Sequence, residues 1–431
     1  MKVYNPPLNV NFLNILSEFV FSDMSVNDII LLPTNRAVKT LKKLLFDLNG
    51  GQNLLLPTIL SLDSAVADFE MFFKFKNKNN LSEISKTKKI FLLNSLVASA
   101  NPDLNFSSSF AMSVELAHIL DTATNEMVNW NKLEDLNLEN LSEFSKKNVE
   151  FLNIISKYYP AILKEENLVD NKENQINLFL QFAKFLSEKK DGRIIIAGTT
   201  ASMVQTQKMI KELAGKDNFY LFLPSFDEKY LGYKGNLAPT HPMYSMLKLV
   251  QDLGVEKFEN LANYETYKMS DDEKILLMHQ LNIAASKSYL WNDVKFSQKA
   301  IENVVCIEAE DIEQEALSVA YEIYESYVLG ETVCAIVPST NLTKSLVKVL
   351  ENINVPYDIS SSVSFDKSAL GQIFNLTLDF LQYDIPVSFL NCIKNKFFVF
   401  QETEDVELML RKNQISALTE SYQKSFGEFV E

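Results

Sequence analysis

The chain has 431 residues, a formal net charge of −15 and 47% hydrophobic residues. That length exceeds one hydrophobic core at about 150 residues per domain, and no apolar run approaches the ~18 residues of a membrane span. The negative charge excludes a general polyanion binder, since phosphates are neutralised by Lys and Arg; three scattered cysteines without a CxxC pair suit a reducing cytoplasm and offer no zinc cluster.

The N-terminus, MKVYNPPLNVNFLNIL, has no unbroken apolar stretch and no small-residue cleavage site, so no signal peptide is expected. Short apolar runs ending at Pro or Gly then recur. They are DIILLPT (28–34), LLLPTI (54–59), RIIIAGTT (193–200), FYLFLPSF (219–226), VVCIEAE (304–310) and TVCAIVPST (332–340). Most are apolar throughout, as in parallel strands buried on both faces. Helical patterns follow several of them. RAVKTLKKLLFDL (36–48) sets Val38, Leu41, Leu45 and Leu48 on one stripe. ASMVQTQKMIKELAG (201–215) ends at Gly215. EQEALSVAYEIYESYVLG (313–330) aligns Ala316, Val319, Ile323 and Tyr327 and ends at Gly330. Strand–helix alternation with short turns predicts βαβ units and a parallel sheet. Residues 81–190 read as helical instead, as does the chain from 372.

The expected organisation is an α/β domain over 1–80 plus 190–265, an all-α insertion over 81–190 and a connector over 266–294. A second α/β domain would cover 295–371. A second helical block begins at 372 and stops at 431 without a winding-down signal, as the front part of a longer protein would.

Charge is uneven. Residues 1–91 hold eleven Lys/Arg against eight Asp/Glu, whereas 302–331 hold nine Asp/Glu and no Lys or Arg. Positive character collects in RAVKTLKKLL (36–45) and KFKNKNNLSEISKTKK (74–89), either as a nucleic-acid contact or as solvated helix faces. One phrase occurs twice: LPTNRAVKTL (32–41) and VPSTNLTKSL (337–346). Each is a strand-to-helix turn with a hydroxyl and a Lys, at the sheet edge where open α/β folds bind anions.

Nucleotide hydrolysis needs GxxxxGK[ST] after a strand. The corresponding place, VYNPPLNVNFLNIL (3–16), has no Gly and two prolines without N–H donors. ATP binding of the usual kind is not expected. The acids of EAEDIEQE (308–315) lie consecutively on a helix start, where they suit the helix dipole better than a metal. His118, His241 and His279 stand isolated, and no nucleophile–His–acid set or Asp…Glu-x-Lys nuclease pattern on a strand is visible. No catalytic and no metal-binding residue is assigned.

An ordered set of blocks resembles one family. IILLPTNRAVKTLKKLLFDLNGGQNLLLPTILSLDS (29–64), AGTTASMVQTQKMIKELAGKDNFYLFLPSFD (197–227), HPMYSMLKLVQDLGV (241–255) and residues 313–371 follow the order and spacing of the N-terminal part of AddB proteins. AddB is the helicase-like subunit of the bacterial AddAB helicase–nuclease, here of the alphaproteobacterial type. The resemblance implies two RecA-like parallel-sheet domains of superfamily 1 helicase layout with all-α insertions. It implies an AddA-type helicase–nuclease subunit as partner, with ATP and Mg²⁺ acting there and no cofactor in this chain. It also implies work on DNA ends in recombinational double-strand-break repair, in the cytoplasm, with a family nuclease domain lying beyond residue 431. By the same resemblance Thr34, Asn35, Arg36 and Lys39 are the foremost DNA-contact candidates, followed by Thr199, Thr200, Thr340 and Lys344. The family often has Arg at the position of Asn35 and Gly at those of Thr199 and Ala201. A structural module that holds the motor partner without touching DNA is the alternative.

Overall fold

The structure, a computed structural model, describes residues 1–8, 10–62, 64–65, 81–130, 151–233, 235, 237–261, 273–360, 365–383, 385–398 and 402–412. The basic run 74–80 and the helical pattern expected beyond 412 lie outside the described residues. The chain divides into two compact units, Met1–Asn303 and Val304–Glu431.

Unit 1 is built on a parallel sheet. In chain order its first elements are β1 (Lys2–Tyr4), α1 (Phe12–Ser22), β2 (Ile29–Leu32), α2 (Asn35–Leu48) and β3 (Thr58–Ser61). Next come β4 (Ser82–Glu83), α3 (Lys86–Ala100), α4 (Phe106–Asn125), a π-helical turn (Ile154–Tyr158) running into α5 (Tyr159–Glu165), β5 (Leu168–Val169) and α6 (Asn171–Glu188). Then follow β6 (Ile194–Ala197), α7 (Val204–Leu213), β7 (Phe219–Phe222), α8 (Tyr244–Asp252) and α9 (Glu273–Leu281). The strand order is β1-β7-β6-β2-β3, with every pair parallel and Ile29 opposite both Thr58 and Ile194.

The apolar strands predicted a sheet covered on both faces, and that is how it is packed. Ile29, Leu31, Ile194, Ile196, Phe219 and Leu221 face a core with Phe182 of α6, Met209 of α7 and Leu247 of α8. Ile30, Leu32, Ile195, Ala197 and Phe222 face the opposite core, with Leu16 of α1 and Leu41 and Leu45 of α2. Full burial of such side chains contributes about 1.5–3 kcal/mol each, so these two layers dominate the unit's stability. Leu48, expected on the inner stripe of α2, is 42% exposed at the helix end.

Two boundaries differ from expectation. LLLPTI (54–59) reads as a strand-like run, but β3 starts at Thr58, after Pro57, because proline has no N–H to give a ladder. The helix expected from 201 starts at Val204, with Met203 at its N-cap.

At the N-terminal edge of the sheet a buried ion pair ties three elements together. Asp28 is 1% exposed. It accepts from Arg193 N at 2.7 Å, Nε at 3.0 Å and Nη2 at 2.7 Å. Arg193 also donates to Val20 O at 3.0 Å and Phe19 O at 3.5 Å, at the C-terminal end of α1.

The described residues of the region, 81–130 and 151–190, are mostly helical, with a two-residue parallel ladder between β4 and β5. Its core packs Leu93 and Val97 of α3 against Leu116 and Leu120 of α4 and against Tyr159. Lys89 is buried there, 2.6 Å from Asp121 and 2.8 Å from Asp170. Tyr159 donates to Asp170 at 2.7 Å. Burial first, and then that bond to Asp170, push the Tyr159 hydroxyl above its ordinary range. Helix α6 leaves this region and lays Phe179, Phe182, Ala183 and Leu186 on the main sheet.

Unit 2 has α10 (Ile312–Val328), α11 (Thr340–Asn352), α12 (Ala369–Tyr383), α13 (Pro386–Ile393) and α14 (Thr403–Lys412). Helices α10 and α11 share a core of Ala316, Ala320, Leu342, Leu346 and Leu350, with Val355 at its edge. Gly330 ends α10 with φ 78 and donates to Tyr327 O at 3.0 Å, the left-handed stop that its position predicted. The second parallel sheet has no counterpart among the described residues. Segments 304–309 and 332–338 carry no strand pairing, and Val304, Val305 and Ile336 are 68%, 73% and 91% exposed. Apolar β-forming sequence marks a segment as ready to pair; without strands alongside, its backbone groups form no ladder.

Candidate nucleic-acid interface

The order of the sheet makes a crevice. The chain leaves β2 through α2 toward β3, on one side. It leaves β6 through α7 toward β7, on the other side and over the opposite face. β2 and β6 are neighbours, so their outgoing turns part at a topological switch point, where open α/β sheets bind ligands.

The turn after β2 carries Thr34, Asn35 and Arg36, all exposed. Thr34 is the N-cap of α2, its Oγ1 accepting from Ala37 N at 3.2 Å. Asn35 Oδ1 accepts from Ser64 Oγ at 3.3 Å. Since Val38, Leu41 and Leu45 are buried, residues 36, 39 and 43 fall on the outer side of α2. There Arg36, Lys39 and Lys43 make an exposed basic stripe. The first turn of α2 contains no acid.

The turn after β6 touches the first. A Cβ placed on Gly198 would stand 3.6 Å from Pro33 Cδ and 3.2 Å from Phe12 Cε1, and Gly198 has φ +75. It is the positive φ, more than crowding, that favours glycine there. Ala201 is also left-handed, at φ 50, the position where the resembled family often has Gly. Thr199 is 9% exposed, and its Oγ1 accepts from Ala201 N at 3.0 Å. Gln207 Nε2 donates to Ala201 O at 2.9 Å. Thr199 thus builds the turn, while Thr200 beside it is exposed.

Thr340 and Lys344 belong to unit 2, both exposed on α11. Ser339 caps that helix, its Oγ accepting from Leu342 N at 3.4 Å. The repeated phrase therefore folds into the same turn and cap in both units. Among the described residues, only in the first does a paired strand precede it. The acids at 308–315 likewise serve a helix start: Asp311 Oδ1 accepts from Gln314 N at 2.8 Å, and Glu310 N donates to Gln314 Oε1 at 2.6 Å. No group of three or more His, Cys, Asp or Glu that could hold a metal occurs among the described residues.

At the other strand end, after β1, Asn5 locks the turn. Its Nδ2 donates to Phe226 O at 2.9 Å and its Oδ1 accepts from Phe226 N at 2.7 Å. Pro6 and Pro7 follow, both buried, where a phosphate loop would present backbone N–H groups. His279 is not isolated, contrary to the sequence expectation. Its Nδ1 lies 2.9 Å from Asp227 Oδ2. A separation of 52 positions between two unpatterned residues leaves no sequence signal for that pair. His241 also has partners, with Nε2 2.8 Å from Asn282 O and 3.4 Å from the Tyr230 hydroxyl.

No protein-family model matches the chain, and no curated protein matches it. Fold and site therefore define the class: unit 1 is an open, parallel α/β domain covered on both faces, with a switch-point crevice bordered by a basic helix face.

Proposed function

We propose that the chain is a helicase-like, non-hydrolysing subunit that guides DNA in a double-strand-break end-processing helicase–nuclease, with an AddA-type motor as its partner. In this proposal both units are RecA-like, the second completing its sheet in the assembly. ATP and Mg²⁺ act in the partner, and the work takes place in the cytoplasm. No helix among the described residues is long and apolar enough to cross a membrane.

One observation carries the DNA part. The switch-point crevice has Arg36, Lys39 and Lys43 exposed beside it, on a chain whose net charge is −15. A concentration of cations at the ligand-binding edge of a sheet fits a phosphate backbone. Thr200 and Asn35 lie on the same two turns and offer hydrogen bonds to phosphate or sugar. The buried Thr199 positions the turn and does not touch DNA in this scheme.

Fluorescence anisotropy with labelled single-stranded DNA, measured for the chain with its partner across a salt series, tests it. Arg36→Glu with Lys39→Glu should weaken binding and lower the salt slope by roughly one to two, about 0.7 for each phosphate that is no longer neutralised. Unchanged affinity and slope would sink the DNA role. The alternative, a module that only holds the partner, draws on the exposed apolar segments of unit 2, Val304, Val305 and Ile336. It predicts that the same charge reversals leave both DNA processing and the complex intact.

A further inference from the structure

Helix α10 carries two apolar stripes. Ala316 and Ala320 point into the core shared with α11. Leu317, Tyr321, Tyr324 and Val328 recur at helical spacing and line a second stripe, about a third of a turn away. All four are exposed, an apolar face of the kind that marks a contact surface.

The chain at either end of α10 is apolar and exposed too. Segments 304–309 and 332–338 carry Val304, Val305, Ile307, Val333 and Ile336 at the surface, with no strand pairing. Glu310 and Asp311 join the first segment to α10, and Leu329, Gly330 and Glu331 join α10 to the second. The 17 residues of α10 rise about 26 Å, and 332–338 spans about 23 Å when extended. The chain can therefore run out along 304–309, back along α10 and out again along 332–338, which brings the two segments side by side and parallel. Unit 1 makes this arrangement with β2, α2 and β3, where Val38, Leu41 and Leu45 of α2 pack on the paired strands.

We infer that 304–309 and 332–338 pair as parallel strands seated on Leu317, Tyr321, Tyr324 and Val328 of α10, and that their outer face is the surface on which unit 2 meets a partner. Side chains alternate along a strand. Val304 and Cys306 fall on one side, Val305 and Ile307 on the other; Val333, Ala335 and Val337 likewise oppose Cys334 and Ile336. Both faces are apolar and α10 covers one. A two-stranded sheet with its other face in water is marginal at best, so the pair needs a cover. Residues 302–331 hold nine acids and no Lys or Arg, so the surface that fits is apolar with a rim of Lys and Arg. A second copy of this stretch would set acid against acid. The seat follows from α10 itself, while assigning the cover to the AddA-type motor rests on the function proposed above.

Disulfide trapping on the full chain reads the seat. Cys306 and Cys334 are free and exposed, one in each segment, and Cys392 is buried. Diamide should close Cys306 with Cys334, or, where the register puts these two on opposite faces, Cys306 with the new thiol of an Ala335→Cys, Cys334→Ser chain; peptide mapping identifies the bond. Leu317→Lys with Tyr321→Lys should slow closure by about tenfold or more, the order of losing burial of one large apolar side chain. Both positions are exposed, so the core with α11 is left in place. Hydrogen exchange with and without an AddA-type motor reads the cover: amides of 304–309 and 332–338 should exchange about tenfold or more slowly in the complex. Closure of neither pair, or closure unaffected by the two lysines, would overturn the seat. A complex that leaves both segments exchanging as in the free chain overturns the cover and spares the partner reading. Absence of any complex overturns cover and partner reading together, and trapping then decides the seat alone.

Discussion

Asp28→Ala removes the carboxylate beneath Arg193 and tests how β2 and β6 are held at the end of the sheet remote from the crevice. Asp28 accepts three bonds from Arg193 and one from Ser25 N at 3.1 Å. The substitution leaves a guanidinium whose side chain is 11% exposed, with two carbonyls of α1 to receive it among the described residues. Breaking one partner of a buried pair costs about 3–5 kcal/mol. The surviving bonds to Phe19 O and Val20 O place the expectation at the lower end, about 3 kcal/mol. Against a total stability of about 5–15 kcal/mol that is a large fraction. Adding Arg193→Met to Asp28→Ala removes the uncompensated charge. The double variant should therefore cost no more than the single one, a coupling of roughly 2–3 kcal/mol. Urea denaturation followed by circular dichroism gives all four corners of the cycle. A cost below about 1 kcal/mol for Asp28→Ala, or a double variant equal to the sum of the singles, would refute the assigned role.

Thr34→Ala should cost about 1 kcal/mol by uncapping α2, whereas Thr34→Ser should be nearly neutral; DNA affinity measured on both variants separates capping from contact. Burial alone would raise the Asp170 carboxyl, but its bonds to Lys89, Tyr159 and the Lys172 backbone outweigh burial and hold it below the ordinary carboxylate range. A depressed carboxylate stabilises the fold above its unfolded pKa and loses that contribution as pH falls through the folded one. The helical region 81–190 should therefore keep its packing until the pH falls below about 4. Lys89→Met should shift that loss to higher pH, which Trp130 fluorescence reports because Trp130 packs on this core. Ile336→Lys should leave the stability of the isolated chain within about 0.5 kcal/mol, as expected of an exposed position, while lowering association of the complex if 332–338 pairs there. An unfolded Ile336→Lys variant would show instead that the segment is packed.

Much of unit 1 was legible in the chain itself. Unbroken apolar runs such as IILL and IIIA can be satisfied only by a sheet covered on both faces, so strand identity and parallel class follow from composition and from the helices between. Thr34 and Ser339, each ahead of an amphipathic run, mark helix starts for a local reason: their hydroxyls accept N–H groups three residues on. The candidate residues were legible to the same depth. Arg36 and Lys39 had to lie outside because Val38, Leu41 and Leu45 had to lie inside. Thr199 was harder to read, since a hydroxyl in a turn bonds either outward or back to its own backbone, and the choice depends on the left-handed Ala201 beside it.

Other features depend on contacts between distant parts of the chain. The order β1-β7-β6-β2-β3, and with it the switch point between β2 and β6, arises from long-range pairing that no local pattern encodes. The Asp28–Arg193 and Asp227–His279 pairs join residues 165 and 52 positions apart, and neither sits in a motif. Unit 2 shows the limit from the other side. VVCIEAE and TVCAIVPST have the composition of strands, but a strand is a pairing and not a property of one segment. Sequence determined which segments are able to pair and which helix faces turn inward, because burial of apolar surface acts residue by residue. Tertiary structure decided which segments do pair and where charges meet, because those energies exist only between groups brought together from far apart.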